Sequence, residues 1–145
     1  MCLRKIIMLN DKDFISQFEN LTLSPSEFNH LGHLRIAWLY LTRFDQNTAE
    51  RKLLQGIKQY AYHLGAQDKF HFTLTVATFH LISERIKKSG SAGFLTFVKT
   101  NPDLVNNLPK VLNEYYSDQR LHSSEATCTF VTPDKKPLKV LYNEY

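Results

Sequence analysis

Along this chain the apolar positions return every three and four residues, and the residues that break helices fall between the runs that do so. Five glycines and five prolines in 145 residues leave long uninterrupted stretches, which predicts an all-α domain. From Asp11 to about Asn20, Phe14, Ile15 and Phe18 share one face of a short amphipathic helix. S-P-S-E then opens a second helix, with Ser24 as cap, Pro25 at the first helical position and Glu27 closing a capping box. It runs to about Phe44 with apolar side chains almost all round, the pattern of a central helix covered on most sides. N-T-A-E repeats the start signal, with Asn47 capping and Glu50 three residues on, and that helix continues to Gly65, a natural C-terminal stop. These two form a helical hairpin.

A fourth helix is expected from an Asp68 cap through K-F-H-F-T-L-T-V to Ser89-Gly90. Its β-branched content leaves a strand as the alternative for residues 72 to 76, but length and caps favour helix. A short helix from Ser91 to about Lys99 follows, and Asn101-Pro102 and Pro109 each start another, the latter carrying V-L-N-E-Y-Y-S. Ser123 opens a last short helix, after which F-V-T-P-D-K-K-P-L reads as extended. The prediction is one compact domain over residues 1–145, a bundle of five to seven helices. Residues 1–10 form an N-terminal tail and residues 129–145 an extended C-terminal one.

Composition changes this picture little. Hydrophobic content of 43% with 22% charged residues excludes a wholly disordered chain, and the length suffices for a core without disulfides or a structural metal. The net charge of +4 is scattered. Its densest groups, Arg85-Ile86-Lys87-Lys88 and Lys135-Lys136, sit at a helix end, where cations favour the dipole, and in the tail. No basic stripe interleaved with aromatics is seen, so no nucleic-acid partner is expected. Cys2 and Cys128 lack metal-type spacing and point to a reducing compartment. The apolar run Ile6–Leu9 stops at Asn10 and Asp11, too short for a secretion signal, and no run approaches a membrane span. A cytoplasmic protein without a membrane partner is expected.

The chemistry concentrates in histidines. In F-N-H-L-G-H-L-R-I-A-W-L-Y-L, His30 and His33 stand about 60° apart around the helix, so both can face one point. Tyr40 lies on the same stripe and offers a phenol, while Arg35, in an apolar helix, needs a carboxylate partner if buried or can clamp an anion. Glu27-x-x-His30 has the spacing of di-iron carboxylate bundles, but no second copy occurs; the nearest echo, His80-x-x-x-Glu84, reverses the order and is placed on a polar face. His71 falls in the first turn of its helix, where the dipole disfavours imidazolium and keeps the ring ready to accept a proton or bind a metal, with Thr75 one turn on. Should the second and fourth helices pack together, His30, His33 and His71 can converge on a divalent transition metal, zinc or iron.

The blocks F-x-H-x-x-H-L-R-x-A-W-x-Y-L (residues 28 to 41), K-F-H-x-T-L-T (69 to 75) and Y-Y-S-x-x-x-L-x-S-x-x-A with F-V-x-P-D-x-x-P-L (115 to 138) together resemble a family of small, uncharacterised bacterial helical proteins. The resemblance spans nearly the whole chain. It implies that His30, His33 and His71 belong to the family pattern, with Arg35, Tyr40 and Thr75 beside them, and it supplies no activity. Where relatives often carry Glu after the second-block histidine this chain has Phe72, and Thr127 stands where an arginine is expected.

The functional expectation is therefore a His-lined pocket between the second and fourth helices. His30, His33 and His71 would hold a divalent metal, or a small anionic ligand would be held by Arg35. If the protein is an enzyme, metal-assisted hydrolysis or hydration is the simplest chemistry, with His71 as acid/base and Tyr40 or Thr75 orienting. The alternative is a non-enzymatic binding or protein-interaction module in which the histidines are structural and Thr129–Tyr145 docks a protein partner. Homo-oligomer formation stays open.

Overall fold

The structure is a computed structural model that describes residues 9–90 and 92–138. Most of the expected N-terminal tail, the helix start placed at Ser91 and residues 139–145 lie outside the described residues. Nine α-helices are described, five of them seven residues or longer: α1 Asp11–Glu19, α2 His30–Arg43, α3 Gln46–His63, α4 Phe72–Ser89, α5 Phe94–Thr100, α6 Pro102–Asn106, α7 Leu108–Leu112, α8 Asp118–Leu121 and α9 Ser124–Cys128. Residues 72 to 76 are helical, and no strand occurs among the described residues. The count exceeds the expected five to seven because short single-turn helices fill the C-terminal third. No helix among the described residues is long and apolar enough to cross a membrane.

Helix α2 is the axis of the molecule. Leu31 and Gly32 are buried, His33 is not, and Leu34 through Tyr40 are buried without a break; α1, α3, α4, α5 and α6 all pack against it. One hydrophobic cluster, from Phe14 and Phe18 through Leu39, Phe79 and Leu104 to Val131, joins these elements. The buried Arg35 among them has the carboxylate partner it needs. Its Nη2 donates to Asp11 Oδ1 at 2.8 Å and to the Leu9 carbonyl at 2.7 Å, with the guanidinium 4.4 Å from the Phe14 ring centroid. That ion pair ties α1 to α2. Where α1 crosses α3, Gly56 makes room: a Cβ there would lie 2.6 Å from Phe18 Cε2.

Several helix starts differ from expectation, each for a local reason. S-P-S-E forms a turn, not a helix start; α2 begins at His30, capped by Asn29, whose side chain accepts from the Gly32 amide. The Glu27 carbonyl packs so closely on Gly32 that a Cβ would collide with it, so the Ser24–Phe28 turn folds back across the first turn of α2. Asp45 caps α3 in place of Asn47, and His71 caps α4 in place of Asp68, which sits in a 3-10 turn, Gln67–Lys69. α7 stops at Leu112, leaving Asn113–Ser117 outside it, and α8, capped by Ser117, was not anticipated.

Over residues 129 to 138 the C-terminal segment is extended, as expected, and it is bound down as a strap. The fully buried Thr73 hydroxyl donates to the Thr129 carbonyl at 2.7 Å and accepts from the Val131 amide at 3.1 Å. Tyr116 donates its phenol to the Val131 carbonyl at 2.7 Å, and Arg120 Nε donates to that of Thr132 at 2.6 Å. Asp134 accepts from the amide and hydroxyl of Ser117, which hold its carboxyl below the usual carboxylate range. Thr73→Val keeps the shape but strands the Val131 amide and the Thr129 carbonyl; we expect a loss of about 2–3 kcal/mol in urea unfolding and faster proteolysis near Thr129. A loss below about 0.5 kcal/mol would mean the strap is held elsewhere.

Candidate functional site

His30 and His33 occupy the first turn of α2, the end at which that buried helix emerges. The Asn29 cap sets their direction, and each ring is anchored by one nitrogen. His33 Nδ1 lies 2.9 Å from the Asn29 carbonyl and His30 Nε2 lies 3.0 Å from the Leu104 carbonyl. A carbonyl only accepts, so both contacting nitrogens carry the hydrogen. In a neutral ring that leaves His33 Nε2 and His30 Nδ1 as bare acceptors, and neither has a protein partner among the described residues. The His33 ring stacks on Phe28, centroids 3.9 Å apart. One edge of His33 is open to solvent, yet the surrounding protein pushes its pKa below the ordinary imidazole value of 6.5. The hydrogen bond to Asn29 opposes this shift and His30 adds to it. His33 is a neutral ring at pH 7.

Both imidazoles line a cavity of about 350 Å³ enclosed by α2, α3, α4 and α7. Its floor and walls are apolar, including Leu34, Ala37, Leu53, Ile57 and Phe79, and Thr75 and Thr78 on α4 add hydroxyls. Thr75 donates its own hydrogen to the His71 carbonyl at 2.8 Å and keeps its lone pairs. A cavity thus lies between the second and fourth helices, and of the expected residues it brings together His30, His33 and Thr75.

The other expected members lie elsewhere. His71 accepts from the Leu74 amide through Nδ1 at 3.0 Å and donates Nε2–H to the Leu121 carbonyl at 2.9 Å. Both its nitrogens are occupied: its place at the start of α4 makes it the cap, which is why it does not turn toward α2. Tyr40 donates to Glu19 Oε2 at 2.6 Å, and burial, the hydrogen bond and the Glu19 charge push its phenol far above the ordinary tyrosine range. Arg35 is held by Asp11 on the α1 side. Among the described residues no group of three or more His, Cys, Asp or Glu is placed to hold a metal ion. His80, placed on a polar face by sequence, is buried instead, its Nε2 3.3 Å from the equally buried Glu50 of α3. Periodicity misjudged that face because α3 supplies the polar partner.

Phe28, Asn29 and Thr78 also line the cavity, and the sequence carries a signal for each. Phe28 directly precedes the cap, Asn29 stands three residues before Gly32 in the spacing of a cap to the amide it binds, and Thr78 follows Thr75 by three on the α4 face turned to α2.

Because His71 works as a cap, His71→Ala is expected to cost about 1–2 kcal/mol in thermal or urea unfolding, and His71→Asn, which can still cap, to recover about half of it. Equal losses in the two variants would remove capping as its role. Comparison with protein-family models, with curated proteins and with solved structures finds no match to this chain.

Proposed function

We propose that the protein binds a small, mainly apolar molecule in the cavity between α2, α3 and α4, with neutral His33 accepting a hydrogen bond from it. If the bound molecule is turned over, the same Nε2 is the general base. One observation carries this reading. His33 lines an apolar cavity of about 350 Å³, within the size range of small-molecule sites, with its Nδ1–H fixed on the Asn29 carbonyl and its Nε2 without a protein partner among the described residues. The ligand class follows from the lining. Lone pairs repel an anion and welcome an O–H or N–H, and the guanidinium that would hold an anion, Arg35, is committed to Asp11. An interaction module docking through its C-terminal segment is less well supported, since the backbone of residues 129 to 132 already bonds to Thr73, Tyr116 and Arg120.

Cyclohexanol is a suitable probe, with calorimetric titration as the readout. Binding to the native chain should weaken about tenfold in His33→Phe, which keeps the stacked ring and loses the acceptor, and should vanish in Thr78→Phe, which fills the space. Protonation of His33 removes its acceptor, and its pKa is depressed. Affinity should therefore be retained at pH 6.5 and be lost only at lower pH. Absence of binding to the native chain, or undiminished binding in Thr78→Phe, overturns the proposal.

A further inference from the structure

A second cavity, of about 430 Å³, opens on the other side of His30. His30, Leu74 and Leu108 stand in the walls of both cavities, so the two adjoin along these three side chains. Leu74 is one of the few large apolar residues left exposed, at 36%, and it sits at this junction. A leucine kept at the surface between two apolar hollows is covered when a chain lies across both. The His30 ring is fixed there by its bond to the Leu104 carbonyl, with Nδ1 free to accept. The second cavity is lined further by Leu112 and Leu121 and by the polar side chains of Asn113, Asp118 and His122. The side chain of Asp118 makes no hydrogen bond to protein among the described residues, and its carboxylate only accepts.

We infer that the ligand is an elongated amphiphile whose apolar chain runs from the His33 cavity past His30 and Leu74 into the second cavity, placing a hydrogen-bond-donating head at Asp118. This rests on the ligand reading of the first cavity. The two neighbouring acceptors along the path, His30 Nδ1 and His33 Nε2, admit a second donor partway along the molecule. Ammonium and hydroxyl heads share the required chemistry, since each can donate to Asp118.

Two homologous series, n-alkanols and n-alkylamines from butyl to decyl, separate the cases by calorimetric titration on the full chain. If one molecule spans both cavities, affinity should rise about fourfold per added methylene through the longest members. Leu74→Trp, a change at an exposed position that leaves the fold intact, should stop the rise at short chains, and Asp118→Ala should weaken the long members about fivefold or more while leaving butyl probes unchanged. The n-alkyl methyl ethers, which cannot donate, should bind the native chain and Asp118→Ala alike. A plateau at the same short length in native and Leu74→Trp protein, with short probes still binding, overturns the spanning ligand and leaves the first cavity's reading intact. An Asp118→Ala variant that binds long alkanols and alkylamines as the native chain does overturns the head position. Failure of every short probe overturns the first reading, and this one with it.

Discussion

The fold depends on covering α2. A helix with apolar side chains nearly all round is stable only when every side has a neighbour, and nine of its residues are buried. Five helices are needed to do this. The hairpin partner α3 and the long α4 cover two sides, α1 a third, and the short α5 and α6 close the remainder. Arg35 makes the demand stricter. A buried guanidinium without a carboxylate costs several kcal/mol or more, so α1 must arrive with Asp11 in place. The charge inside the apolar stripe thereby decides which segment covers that face. The histidines of α2, His30 and His33, are both exposed and lie in its first turn, before the unbroken buried run Leu34–Tyr40.

The strap follows from the same constraint at one remove. α4 can seal α2 only if its own outer face is sealed in turn, and α9 with residues 129 to 132 does that. Thr73 shows how little chemistry the closure needs. A single hydroxyl, donor to one strap carbonyl and acceptor from one strap amide, meets both polar demands of backbone crossing a buried surface. An extended segment rich in Thr, Pro and Lys reads from sequence as a tail lying across the surface. It is part of the packed structure because two of its backbone groups find Thr73 and a third finds Tyr116.

How much of this was legible can be judged residue by residue. The apolar periodicity located α1 through α4 and identified α2 as the central helix, because burial on all sides leaves its mark on composition. Helix starts were harder, since a capping signal is short and several compete: Ser24 against Asn29, Asn47 against Asp45, Asp68 against His71. What decided between Ser24 and Asn29 was the close approach of the Glu27 carbonyl to Gly32, a contact that exists only once the turn has folded back. The pairing of His30 with His33 was legible because both lie on one helix of known period. The expected convergence of His71 on that pair does not occur, because its direction is set by the amide of Leu74, a demand of its own helix end. Likewise His80, placed on a polar face by its spacing, is buried because Glu50 and Gln46 of α3 pack against it.

The anchoring of the two site imidazoles has a chemical consequence that their positions alone do not. A histidine free in solution offers either nitrogen as donor or acceptor and switches between them at little cost. Here a backbone carbonyl takes the hydrogen of each ring, Asn29 for His33 and Leu104 for His30, so the tautomer is chosen by the fold and the remaining nitrogen of each is committed to accept. On the proposed reading, two acceptors beside apolar walls favour molecules that carry O–H or N–H on a hydrocarbon frame over carboxylates and phosphates, which bring only lone pairs. Protonating His33 would reverse that preference. Burial lowers the His33 pKa from 6.5, so for this ring the reversal belongs to acid pH. The packing that buries α2 and leaves its first turn open therefore also determines which half of hydrogen-bond chemistry the cavity presents.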